Sequence, residues 1–318
     1  MNSIVVLDGY TLNPGDLSWD ALKLIGNSEI FDRTSADQII SRAQNAELVL
    51  TNKTPLSKAS IDALPKLKYI GVLATGYNVV DIQAAKEKNI PVCNVPGYSG
   101  MSVAQAVFSL LLEITNQAGR HSQEVREGKW SSSTDFCFTS TPIIELADLT
   151  FGVVGYGNIA QGTIKIAQAM GMKILVHTRT TPSHVPDGIS FVSLDHLFKN
   201  SDVISLHCPL TDHTKNMINK NSIETMKKTA ILINTGRGPL IDEEALANAL
   251  NTGRIFGAGL DVLCQEPPQS NNLLLRAKNC IITPHNAWAS KAARQRLMAM
   301  AIDNIHSFLN HKITNQVN

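Results

Sequence analysis

Arg237, Glu266 and His285 are the side chains in this 318-residue sequence best suited by type and setting to do chemistry. Arg237 lies in Asn234-Thr235-Gly236-Arg237-Gly238-Pro239, straight after the apolar run 230–233. Glu266 lies in Asp261-Val262-Leu263-Cys264-Gln265-Glu266-Pro267, and His285 in Thr283-Pro284-His285-Asn286-Ala287-Trp288. Glycine and proline mark these stretches as loops. A guanidinium offers a planar two-pronged donor that matches a carboxylate. A histidine held by an acid is a proton-transfer pair. Taken singly, each has a plainer reading: a surface arginine, a loop glutamate, a capping histidine.

What joins them is a glycine loop upstream. Thr150 to Ala160 reads as strand, tight turn and helix, with the pattern G-x-G-x-x-A in Gly155-Tyr156-Gly157-Asn158-Ile159-Ala160. Gly155 permits the turn. Gly157 lets backbone N–H groups approach a pyrophosphate at the positive end of the new helix. The motif alone is weak, but a strand before it and a helix after it are the context that counts. An NAD-preferring site of this kind carries Asp or Glu about 20 residues on, at the end of the second strand. Here that strand, Lys173-Ile174-Leu175-Val176, runs into His177-Thr178-Arg179, with no acid. Thr178 takes the expected place, and Arg179 could pair with a 2′-phosphate. This favours NADP, or use of both NADP and NAD.

The elements needed to position such groups are visible. Short apolar runs recur at 4–7, 48–50, 69–73, 152–155, 173–176, 203–206, 230–233 and 280–282, with helical patterns between them. Continuous apolar strands alternating with helices predict an α/β fold with doubly wound parallel sheets. Ser102–Thr115 reads as a helix buried nearly all round, in a core or a subunit interface. Asp242–Leu250 has acids in its first turn and Gly253 just beyond, and a last helix is expected from about 289 to 309.

The length suggests two domains. With 28 Lys plus Arg against 27 Asp plus Glu, the net charge of +1 argues against a nucleic-acid-binding or polybasic membrane surface. No apolar run approaches the ~18 residues of a membrane span, and the N-terminus lacks a basic region before its short apolar run. The expected location is the cytoplasm. Five cysteines without CxxC spacing read as reduced thiols, each a small buried hydrophobe. The remaining histidines show no metal spacing, so no metal is expected.

With these residues in order, the chain resembles the D-isomer-specific 2-hydroxyacid dehydrogenases over nearly its full length. The likeness rests on Gly155-Tyr156-Gly157-Asn158-Ile159, Asn234-Thr235-Gly236-Arg237-Gly238, Asp261-Val262 with Glu266-Pro267, and Thr283-Pro284-His285 with Ala287-Trp288. The opening Leu7–Asp16 and the stretch Gly71–Asn78 make it most similar to the glycerate dehydrogenase, or hydroxypyruvate/glyoxylate reductase, branch. The resemblance implies a Rossmann-type nucleotide-binding domain, residues 98–287, inserted in a flavodoxin-like substrate-binding domain, residues 1–97 and 288–318.

It also implies roles. Arg237 would bind the substrate's carboxylate and carbonyl oxygen. His285 would donate the proton in reduction of a 2-keto acid and remove it in the reverse direction. Glu266 would orient the His285 ring and favour the imidazolium. Backbone N–H groups of Ala74-Thr75-Gly76 would hold the carboxylate from the other domain, and domain closure would complete the site. Further cofactor contacts would come from His207-Cys208-Pro209 on the adenine side, from Thr235 and Asp261 near the nicotinamide, and from the backbone of Val103. Relatives imply a homodimer built on the 102–115 helix, where Gln105 replaces a common acid. Phe136 and Phe138 would reach a neighbouring subunit's pocket or simply pack in their loop.

Two other readings stand beside this one. A phosphoglycerate dehydrogenase would want more basic residues near the pocket than Lys53 and Lys58, and a regulatory domain for which 318 residues leave no room. A corepressor-like protein that senses NAD(H) without turnover would keep the same three polar residues, but would be expected to carry long flanking segments.

Overall fold

A computed structural model describes residues 2–318. These fall into two compact units. One comprises the chain up to Ser99 together with Ala289–Asn318, and the other Gly100–Trp288.

The first unit is built on a parallel sheet of β1 (Asn2–Val6), β2 (Gly26–Ile30), β3 (Leu48–Thr51), β4 (Tyr69–Val72) and β5 (Val92–Cys93), in the order β2-β1-β3-β4-β5. This is the flavodoxin-like order. Every residue of β3 and β4 is buried, as a sheet covered on both faces requires. The helix Lys291–Leu309, capped by Ser290, belongs to this unit and sets Phe308 against Tyr69, ring centroids 4.9 Å apart. Residues 315–318 then run back along β5. Asn94 N–H donates to Asn315 O, Val317 N–H to Val92 O, and Val92 N–H to the Asn318 side chain.

The second unit has seven parallel strands: β6 (Thr150–Val154), β7 (Lys173–His177), β8 (Ile189–Phe191), β9 (Val203–Leu206), β10 (Ile231–Asn234), β11 (Gly257–Leu260) and β12 (Cys280–Ile282). Their order is β8-β7-β6-β9-β10-β11-β12. The chain winds outward from β6 in one direction, then returns to its other side at β9. That reversal is the Rossmann arrangement with a seventh strand added. Beyond the eight apolar runs legible in the sequence, the structure adds β2, β5, β8 and β11.

The helix Gly100–Asn116 lies on this sheet. Val103, Ala104, Val107, Phe108, Leu110, Leu111, Ile114 and Thr115 face inward. Within the chain its far side is open, as for any helix on a sheet face: Met101, Gln105 and Ser109 are exposed. Its close approach depends on β11. A Cβ on Gly259 would lie 2.8 Å from Leu110 Cβ and 2.9 Å from Ile233 Cδ1, and one on Gly257 would lie 3.0 Å from Ile114 Cγ2. All five cysteines are free thiols, but Cys137 and Cys264 are exposed, so the buried-hydrophobe reading fails for these two. Both sit in irregular loops rather than on a strand or helix. Among the described residues no helix is long and apolar enough to cross a membrane.

The helix–sheet contact gives a first prediction. Gly259→Ala has no room for its methyl group without moving Leu110. It should destabilise the second unit by about 1–3 kcal/mol, read as a lower denaturation midpoint in urea.

Candidate active site

The carboxyl ends of β6, β7 and β9 form one corner of the second unit, at the point where strand order reverses. Gly155, φ +101°, turns the chain out of β6. A Cβ there would lie 2.6 Å from the His207 carbonyl oxygen and 2.9 Å from Cys208 N. Gly155 N–H donates to His177 O and His207 N–H to Val154 O, each at 2.7 Å. The three loops expected to hold a dinucleotide, 155–159, 177–179 and 207–209, are therefore stitched together by backbone. Gly157 caps the helix Asn158–Ala169, and nothing lies within 4 Å of where its side chain would be. That open cradle at a helix N-terminus fits a pyrophosphate. Ala160 is fully buried beneath it.

At the end of β7 the ring of His177 is bonded to Val192 O at 3.1 Å. Thr178 is half-buried, while Arg179 is exposed and makes no hydrogen bond among the described residues. Its guanidinium has no competing acid. Thr235 Oγ1, expected near the nicotinamide, is buried and without a partner, an orphan that a bound carboxamide could satisfy. Val103 sits on the sheet-facing side of its helix. Cys208 packs its sulfur on Met217 (3.7 Å), and Pro209 is exposed.

The catalytic candidates follow three adjacent strands, β10, β11 and β12, so they emerge at one edge. Asn234 ends β10 fully buried; its side chain accepts from Gly236 N–H (3.0 Å) and donates to Arg237 O (2.9 Å). This ties the loop into a tight turn that projects Arg237 outward. The exposed guanidinium touches only Gly236 O, at 2.8 Å, and is otherwise free among the described residues. Gly238 then abuts the next loop. A Cβ there would lie 2.0 Å from the Leu263 carbonyl carbon and 2.4 Å from Cys264 N. Only glycine lets the Arg237 and Glu266 loops meet backbone to backbone.

Glu266 uses both oxygens. Oε1 accepts from Leu263 N–H (3.0 Å), and Oε2 meets His285 Nδ1 at 2.6 Å. His285 is in the left-handed region, φ +50°, a conformation that costs a non-glycine residue about 1–3 kcal/mol and persists only where its surroundings impose it. They do. Asp261, almost wholly buried, accepts from Thr283 Oγ1 (2.6 Å) and Asn286 N–H (2.9 Å) at Oδ1, and from Ala287 N–H (3.0 Å) at Oδ2. Its carbonyl accepts His285 N–H at 2.8 Å, and Trp288 Nε1 donates to His285 O at 3.0 Å. Burial pushes the Asp261 carboxyl up, and the hydrogen bonds from Thr283, Ala287 and Asn286 oppose that shift. Ser102 Oγ donates to Ala287 O (2.8 Å), fastening the start of the long helix to the same turn. Neither Asn234 nor Ser102 stands out in the sequence as a site residue.

In the first unit, the Ala74-Thr75-Gly76 turn follows β4. Asn52 and Asn94 side chains donate to Leu73 O (2.5 Å) and Thr75 O (2.7 Å), and Thr75 Oγ1 donates to Val95 O (2.9 Å). Among the described residues the N–H groups of the turn have no acceptor, as an anion-binding turn requires.

Residues 108–287 match the family model of the D-isomer-specific 2-hydroxyacid dehydrogenase NAD-binding domain. A hydroxypyruvate reductase of Blautia hydrogenotrophica is 50% identical over 319 residues, covering 99% of each chain. A glycerate dehydrogenase of Methylorubrum extorquens is 43% identical over 283 residues, 88% of each. Among solved structures, an acyclic imino acid reductase in complex with NADPH and D-Arg has 32% identity and a TM-score of 0.86, over 99% of this chain and 100% of that one. The chain belongs to the D-isomer-specific 2-hydroxyacid dehydrogenase family. It is an oxidoreductase of the 2-hydroxyacid dehydrogenase type with an NAD-binding domain.

His207 supplies a pH test. Its ring, bonded to Ser205 Oγ at 2.8 Å, is pushed by burial from the usual 6.5 to about 4. It stays neutral in the folded protein while the unfolded chain takes up a proton below pH 6.5. Its contribution to stability is thus complete above pH 6.5 and is lost as pH falls through about 4. His207→Asn should flatten the decline of thermal midpoint with pH across that window, while the wild-type midpoint falls more steeply.

Proposed function

We propose that the protein reduces a small 2-keto acid, hydroxypyruvate or glyoxylate, to D-glycerate or glycolate with NADPH or NADH, and runs in reverse as a D-glycerate dehydrogenase. The observation that carries this reading is the 2.6 Å pair of His285 and Glu266, at the strand edge from which the unpaired guanidinium of Arg237 projects.

The cofactor would be held by the 155–159 turn, Thr178 and Arg179, the 207–209 loop, Thr235 and the backbone at Val103, with Asp261 nearby. When bound, its reduced nicotinamide supplies the hydride. Arg237 binds the keto acid through its carboxylate and carbonyl oxygen, orients it, and stabilises negative charge growing on that oxygen. With Nδ1 committed to Glu266, the His285 ring has Nε2 left to give a proton to the carbonyl oxygen. The Glu266 carboxylate fixes the ring's rotation and offsets the imidazolium charge. In oxidation the same nitrogen takes the hydroxyl proton. The Ala74-Thr75-Gly76 turn is assigned to the substrate carboxylate through its free N–H groups.

We place the protein in the cytoplasm as a homodimer. Met101, Trp130, Phe136 and Ile143, all exposed, support an association surface. Phe136, its carbonyl held by Trp130 Nε1 at 2.8 Å, has an exposed ring that could reach a neighbouring subunit, whereas Phe138 packs in its own loop beside His121 and Lys129.

Steady-state assay against a panel of 2-keto acids tests the reading, with hydroxypyruvate and glyoxylate expected to be turned over best. His285→Gln should lower kcat by roughly 10²–10⁴-fold and leave cofactor binding, followed by fluorescence titration, unchanged. Normal turnover by that variant would remove His285 as proton donor. Arg179→Glu should shift the ratio of kcat/KM for NADPH over NADH toward NADH by about tenfold or more, since an acid repels a 2′-phosphate. An unchanged ratio would mean that Arg179 does not read the ribose.

A further inference from the structure

Glu243 is the first residue of the helix Glu243–Asn251, where its charge reads as a favourable end effect and nothing more. The helix cap is Asp242, whose side chain accepts from Ala245 N–H. Glu243 itself turns away to the Glu266 loop, 21 residues on. Oε1 accepts from Cys264 N–H at 2.7 Å, and Oε2 accepts from Asn272 Nδ2 at 2.8 Å. One carboxylate therefore clips both ends of the segment 264–272. Asn272 is anchored in turn, since its side-chain oxygen accepts from Leu274 N–H at 2.9 Å.

Two consecutive N–H groups of this loop go to two different acids. Leu263 donates to Glu266, and Cys264 to Glu243. The peptide between them is the surface on which Gly238 packs. Removing the Glu243 clip would leave Cys264 N–H without its acceptor and free the segment that carries Glu266. The reach of Glu266 to His285 and the seat of the Arg237 loop depend on the same peptide.

We propose that Glu243 is a positioning residue of the active site: it holds the 263–266 turn so that Glu266 meets His285 and Gly238 seats the Arg237 loop. This rests on the dehydrogenase reading above. Reach, rather than charge, is the essential property, because the contacts are to neutral donors.

The test compares three variants of the full chain. Glu243→Ala should lower kcat by about 10- to 100-fold, the scale of an ångström-sized misplacement, with cofactor affinity unchanged. Glu243→Gln keeps one acceptor oxygen, which can hold Cys264 N–H, but loses the acceptor for Asn272 Nδ2, so it should recover kcat in part, well above the alanine variant. Glu243→Asp keeps the charge but falls one methylene short, and should resemble the alanine variant; it also serves if Glu243→Ala does not fold. An active aspartate variant beside an inactive glutamine variant would show that charge is what matters and overturn the proposal. In a Glu266→Gln background, Glu243→Ala should cost less than in wild type, because only its effect through the Arg237 loop remains. An equal loss in both backgrounds would also overturn it. The low-field Nδ1–H proton resonance of His285 should be kept in Glu243→Gln and lost in Glu243→Ala. That readout is independent of turnover. If wild type reduces no keto acid the functional reading fails, while the resonance still decides the role of Glu243.

Discussion

The site rests on one buried carboxylate. Asp261 ends β11 almost out of contact with solvent, and burying a charge is expensive unless hydrogen bonds replace the lost water. The 283–287 turn supplies those bonds from Thr283, Asn286 and Ala287. Each donor belongs to the segment that contains His285, so satisfying the carboxylate and shaping the histidine's backbone are the same event. The left-handed conformation of His285 is the strained product of that bargain. Glu266 then has only the ring to orient, because the backbone is already set.

Parallel strand order turns this local device into an active site. β10, β11 and β12 lie side by side, so residues 237, 266 and 285 emerge at a common edge although up to 48 positions separate them. Close contact between the first two loops needs a missing side chain at Gly238. The nucleotide corner uses the same means, with Gly155 pressed against the backbone of His207 and Cys208. Both corners are assembled main chain to main chain, which leaves the side chains free to face a ligand.

Much of this was legible beforehand, for physical reasons. Fully buried parallel strands are runs of branched apolar residues, so β3, β4, β9 and β10 announced themselves. β11 did not, because Gly257 and Gly259 leave it without a continuous branched apolar run; their smallness serves the helix that lies across them. β2 and β8 are partly exposed outer strands with no continuous apolar run, and β5 has two residues. The glycine turn and the three polar loops were readable because their chemistry is local. Glu243 and Asn234 were not, because what each does is set by a partner's backbone. A glutamate at a helix start looks the same whether it faces water or grips a loop 21 residues away. For the helix 102–115 composition reports how apolar the helix is but not what covers each side: within one chain Gln105 and Ser109 lie on its open face.

The strand-like course of residues 315–318 has a consequence for handling this protein. β5 is the last strand of its sheet, and its main-chain polar groups would otherwise offer a template to any extended peptide. Val317 and Asn318 occupy that template from within the molecule. Deleting residues 315–318 would uncover a sticky border. Its expected symptom is self-association at high concentration, in a region that contains none of the proton-transfer residues.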